Sequence, residues 1–191
     1  MGNRRRFMGQ SAAAASVLAF PLVGGAQPAG IKIGVLHPVT GALAYSGQQC
    51  REGALMAIED INKTGIKSLG GAKIEALLGD AQSAPQAGAA EIEKMNEAGV
   101  SAVVGAFASA ICLATTQAAA KYNLPHVVDV GVADQIVERG LKNTFRFGPG
   151  YRKCAEVAVA NLHVLNTAAG RPAKSVMIIH EESLFGSGTA A

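Results

Sequence analysis

The chain has 191 residues, with 17 Lys+Arg against 14 Asp+Glu, 5% aromatic residues and no Trp. Its basic excess is local: Arg4, Arg5 and Arg6 lie in a stretch, residues 1–26, that holds no Asp or Glu, and setting those three aside leaves 14 basic against 14 acidic residues. A neutral remainder gives no electrostatic basis for nucleic acid or an anionic membrane as partner.

Residues 1–26 have the three-part layout of a signal peptide: Arg4–Arg6 as the basic start, Ala12–Val23 as the apolar run, and Gly24-Gly25-Ala26 as the small residues at the cleavage region. The apolar run is shorter than the roughly 20 residues a bilayer core demands, and Pro21 interrupts it. Arg4-Arg5-Arg6-Phe7-Met8 resembles a twin-arginine signal, which leaves the twin-arginine and general routes both open and predicts a periplasmic protein. No Cys lies near the cleavage region, so a lipid anchor is not expected. Cys50, Cys112 and Cys154 are odd in number and scattered, which suits buried structural thiols on the apolar sides of helices better than a disulfide or metal framework.

Beyond the signal, strand-like and helix-like stretches alternate. Ile31–Leu36 is a β-rich run ended by His37-Pro38-Val39-Thr40-Gly41, and a helix follows over Gln48–Asn62 with Cys50, Ala54, Ala57, Ile58 and Ile61 at helical spacing. Lys73–Leu78 reads as a strand, then a helix opens at Pro85 and stops at Gly99. Val100–Val104 is a strand, Ser109–Lys121 a helix, and His126–Val130 a strand. A short helical patch at Asp134–Arg139 and a strand at Thr144–Phe147 complete the unit. Such alternation predicts parallel strands with right-handed crossovers, hence an α/β doubly wound sheet. Gly148-Pro149-Gly150 marks a boundary. Past it come a helix over Tyr151–Thr167, a strand at Ser175–Ile179, a Gly-rich turn at Phe185–Gly188 and the expected start of another helix. The organisation read from this is a signal peptide at 1–26, a first lobe at 27–148 and the incomplete start of a second lobe at 149–191.

Ligands of doubly wound sheets bind at the carboxyl ends of the strands. Three loops there have suitable chemistry: Thr40–Gln48 with Tyr45, Gly105–Ser109, and Asp129–Asp134. Ser109 is a natural N-cap whose neighbouring N–H groups favour a carboxylate, and Asp129 and Asp134 suit an ammonium group. Each also has a structural reading, with Ser109 and Asp134 as helix caps and Tyr45 packed on its loop. His37, His126, His163 and His180 lack metal-ligand spacing and suit structural roles. Neither a nucleophile elbow nor a phosphate-binding loop is present, so no catalytic, metal or cofactor site is expected.

These loops resemble those of the leucine/isoleucine/valine-binding family, the type 1 periplasmic receptors that feed ABC transporters. The resemblance rests on Ile33-Gly34-Val35-Leu36 with Gly41 and Gly53, Ala57–Asn62, Gly105 to Ser109, Leu124-Pro125, Thr144–Phe147 and Glu182–Gly186. It implies two Rossmann-like lobes closing on a ligand, a monomer, and docking to a membrane permease. It also implies contacts from Tyr45 and Ser46, from Phe107, Ala108 and Ser109 on a ligand carboxylate, from Gly131, Val132 and Ala133 on the rest of the polar head, and from Phe185 as a covering aromatic. Ala133 stands where the branched-chain binders have a hydroxyl residue, which extends the expected ligands to other amino acids, amides and aromatic acids. The family's disulfide has no counterpart, because Gln82 and Ala108 occupy the matching positions. Relatives continue through a complete second lobe, so the chain reads as C-terminally truncated and is expected to bind weakly by itself. Two other readings stay open: an exported enzyme using Asp129 or Asp134 as a base, and a fragment without activity.

Overall fold

A computed structural model describes residues 30–191. The signal-peptide reading of residues 1–26 lies outside the described residues.

Five parallel strands form one sheet: β1 (Ile31–His37), β2 (Ile74–Asp80), β3 (Ala102–Gly105), β4 (His126–Val128) and β5 (Thr144–Arg146), in the order β2-β1-β3-β4-β5. Between them run α1 (Ala44–Thr64), α2 (Pro85–Glu97), α3 (Ser109–Lys121) and the short α4 (Gln135–Glu138). The first crossover steps outward from β1 to β2, and the later ones step the opposite way. Right-handed connections in two directions place helices on both faces, which is the doubly wound architecture expected from the alternation.

The core lies between the sheet and the α2–α3 layer. Leu36 and Val103 from the strands meet Ile92 and Met95 of α2 and Ile111 and Cys112 of α3, all at most 1% exposed. Pro85 occupies the first turn of α2, where a missing N–H costs nothing. The register aligns Leu36, Gly105, Val128 and Arg146 in one row. The residues that follow them, His37, Ala106, Asp129 and Phe147, therefore emerge together at the carboxyl edge. At Gly105 (φ +142°) a Cβ would lie 1.9 Å from the Leu36 carbonyl oxygen, so only glycine lets β3 turn here.

Beyond β5 lie α5 (Tyr151–Ala168) and α6 (Leu184–Ala190). Ser175–Ile179 is not a strand, since no strand among the described residues runs beside it; Met177 and Ile179 are 84% and 87% exposed. β propensity supplies no ladder without a partner. The expected turn at Phe185–Gly188 is instead part of α6, whose N-cap Ser183 accepts a hydrogen bond from the Gly186 N–H. The first helix begins earlier than its apolar spacing suggests, at Ala44, because the Gly41 carbonyl and Leu43 already start the turn. Of the three free thiols, Cys112 is buried as expected; Cys50 is half-buried and Cys154 is exposed, since α5 buries no residue at all. Among the described residues no helix is long and apolar enough to cross a membrane.

Candidate functional site

A cavity of about 480 Å³ opens at the carboxyl edge. Its floor is the turn from β3 into α3, its sides are Val130 and Val132 after β4 and Ser83 and Pro85 after β2, and α6 covers it with Leu184 and Phe185. The lining is mainly apolar, with the polar groups Ser83, Ser109, Glu181 and Ser183. This composition suits a small solute whose body is apolar and whose polar end is gripped at few points.

Ser109 is the best-placed of those points. It is 3% exposed and faces the cavity, and its Oγ accepts the Ala133 N–H at 3.2 Å. That bond orients the hydroxyl and leaves its proton for an acceptor in the cavity. The expected N-cap role is not realised: Ala108 holds the cap position and Ser109 is the first residue inside α3. Helix dipole and first-turn N–H groups nevertheless point at the same space, as an anionic group needs.

The third loop is held by β5. Arg146 donates to the Ala133 carbonyl at 2.8 Å and the Val132 carbonyl at 3.2 Å, and it pairs with Asp134 at 3.4 Å. Asp134 does not bond across the first turn of α4. Its other oxygen accepts the Arg152 N–H at 3.2 Å, capping α5 across space. A Cβ at Gly150 would fall 1.6 Å from Oδ1 of Asp134, so the Gly148-Pro149-Gly150 segment needs glycine at its end. Asp129 is also engaged, with Oδ2 2.7 Å from Nε2 of His37. Neither carboxylate waits for a ligand ammonium: main-chain N–H groups and the His37 ring hold Asp129, and Arg146, Arg152 and a main-chain N–H hold Asp134.

Burial is the largest influence on Asp129 and would raise its pKa. The His37 hydrogen bond and charge, with the N–H groups of Val130 and Phe107, outweigh it and hold the carboxyl below its ordinary range. The buried Cys112 thiol is pushed up to about 12 by desolvation. His126, fully buried, is pushed down to about 4 by desolvation, offset in part by main-chain groups of Gly105 and Thr115 and by Asp129. His163 and His180 are exposed. No group of His, Cys, Asp and Glu suited to a metal occurs among the described residues.

Of the residues singled out in the sequence, Phe107, Ala108, Ser109, Val132 and Phe185 line the cavity. Gly131 and Ala133 lie buried behind it and act through the main chain. Tyr45 and Ser46 do not line it: both stand in the first turn of α1, and Tyr45 is 80% exposed. The sequence reading missed Ser83, which lines the cavity, accepts from the Leu43 N–H and donates to the Thr40 carbonyl. A signal was available, because Ser83 lies in a strand-to-helix loop, as the residues of Gly105–Ser109 do after the next strand.

A family model described as periplasmic binding protein matches residues 30–191. The chain belongs to the periplasmic binding protein family. The chain is 34% identical over 174 residues to "Leu/Ile/Val-binding protein homolog 7" of Brucella melitensis, covering 88% of this chain and 43% of that one. It is 31% identical over 186 residues to homolog 1 of Brucella abortus, covering 97% and 47%. It thus spans less than half the length of these curated relatives. Among solved structures it resembles a branched-chain amino acid transporter substrate binding protein of Streptococcus pneumoniae in complex with isoleucine (28% identity, TM-score 0.60, 64% of this chain and 34% of that one). An ABC transporter substrate-binding protein of Desulfitobacterium hafniense, in complex with Leu, shares the fold at 22% identity and TM-score 0.66 over 84% and 44%.

Proposed function

We propose that the protein of which this chain is a part captures an amino acid or a related small polar solute, an amide or aromatic acid included, and presents it to the membrane permease of an ABC importer. In this reading residues 1–26 export the chain to the periplasm as a monomer, 27–148 form the first lobe and 149–191 open the second. One observation carries the proposal: the oriented Ser109 hydroxyl and the α3 N-terminus meet inside a largely apolar cavity at the sheet's carboxyl edge. A carboxylate there receives a hydroxyl, free N–H groups and a favourable dipole, while Phe107, Val132 and Phe185 take the apolar body. Closure of a second lobe over that body would shift the open–closed population on binding. The family's solute-binding character and the engagement of Asp129 and Asp134 both weigh against an enzyme reading.

Calorimetry of the 191-residue chain against leucine, isoleucine, phenylalanine, glutamine and 4-hydroxybenzoate tests this. A hydrogen bond to a charged group is worth about 1.5–3 kcal/mol, so Ser109→Ala lowers affinity for the best-bound compound about ten- to hundredfold. Equal affinity of Ser109→Ala and the parent would remove Ser109 from the site.

A further inference from the structure

Beneath the cavity three strand ends converge on one carboxylate. Asp129 follows β4, and its Oδ2 lies 2.7 Å from Nε2 of His37, the last residue of β1. Its Oδ1 accepts the Val130 N–H at 2.8 Å and the Phe107 N–H at 3.3 Å. Phe107 comes from the loop after β3, has φ +67°, and lines the cavity; Val130 lines it from the other side. His37 is completely buried and its Nδ1 has no hydrogen-bond partner. A leucine would fill that position without the cost of desolvating a ring nitrogen. A buried imidazole that spends its one hydrogen bond on Asp129 is therefore a device for orienting that carboxylate.

We propose that His37 and Asp129 are positioning residues for the solute cavity: the carboxylate, aimed by the imidazole, ties the Phe107 and Val130 turns into the arrangement that opens between them. This rests on the reading of that cavity as the solute site. The pair also consumes two main-chain donors, so a solute carboxylate is left to Ser109 and the first turn of α3. The Phe107 φ lies where a non-glycine residue needs an external hold, and the Asp129 bond supplies it.

The groups that face Asp129 from neighbouring elements are Cys50 on α1, Cys112 on α3, and His126 on β4. Burial raises both thiols, and His126 stays neutral above about pH 4, so the His37 ring is the side chain that holds the Asp129 carboxylate. Protonation of Asp129 then reaches both turns at once.

Amide ¹H–¹⁵N spectra of the 191-residue chain against pH read this directly, with the His37 ring followed in the same samples and no solute present. The Phe107 and Val130 amides are expected to titrate together with one midpoint. In Asp129→Asn, which keeps an acceptor oxygen, that shared titration is lost; in Asp129→Glu it returns at a displaced pH. In His37→Gln the carboxylate loses its partner and the shared midpoint moves to higher pH. Different midpoints for the two amides in the parent chain, a titration surviving Asp129→Asn, or an unmoved midpoint in His37→Gln would each overturn the positioning role. The Ser109→Ala comparison decides the site separately, so equal affinity of that variant and the parent alongside the shared titration retires the site and not the pair.

Discussion

Helix α3 buries seven of its 13 residues, whereas α5, with 18, buries none. Sequence pattern would have ranked them the other way. α5 has a clear apolar side in Val157, Leu162 and Leu165, all at least 45% exposed, while α3 mixes Ala, Thr and Cys with little sidedness. α3 is buried because α2 lies along it and the sheet lies under it, with Gly88 of α2 letting the two backbones approach Ile111 and Thr115. Among the described residues α6, seven residues long, is the helix that packs along α5, and α4 with the loop before it meets only the first turn of α5. An amphipathic face states what a helix is able to bury; the neighbours decide whether it does.

Cys112 on α3 and Cys154 on α5 are internal reporters of this contrast. Labelling with a thiol reagent at neutral pH is expected to modify Cys154 about a thousandfold or more faster than Cys112, which reacts only through opening of the core. Similar rates for the two would show that the α2–α3 layer is open. Truncating side chains sharpens the same point. Ile92→Ala should cost about 2–5 kcal/mol in urea unfolding, and Leu162→Ala less than about 0.5 kcal/mol. Comparable losses would mean that α5 is packed in solution.

A pH-dependent effect concerns His126 in the core. Its folded pKa of about 4 lies below the unfolded value near 6.5, so the unfolded chain binds the extra proton between those limits. The stability gained by keeping the ring neutral is full above pH 6.5 and falls as the pH drops toward 4. From pH 7 to 5 the loss is about 2 kcal/mol, and it should vanish in His126→Gln, read as the slope of unfolding free energy against pH. An unchanged slope would place the titrating group elsewhere.

Alternation of elements made the sheet legible, because helix and strand periods differ and turn residues such as Pro85 and Gly105 punctuate them. Ser109, Phe107 and Phe185 were legible from strand-end position and family resemblance. Other features depended on side chains distant in sequence. His37 and Asp129 stand 92 positions apart, and only the register brings them together. Asp134 offered itself as a local cap, but Arg146 and the start of α5 compete for it and win. Tyr45 was misplaced because α1 starts four residues before its apolar spacing does. The strand at Ser175–Ile179 failed for want of a partner, which no local pattern reveals.

That unpartnered run has a chemical character of its own. Val176-Met177-Ile178-Ile179 presents four apolar side chains and an open row of peptide groups to water, the surface from which cross-β stacking of identical chains grows. The residues around it oppose that: Pro172 and Lys174 stand before the run, Glu181 and Glu182 after it. In a chain whose remaining charges balance, these flanking gatekeepers set like charge against like wherever two copies align in register.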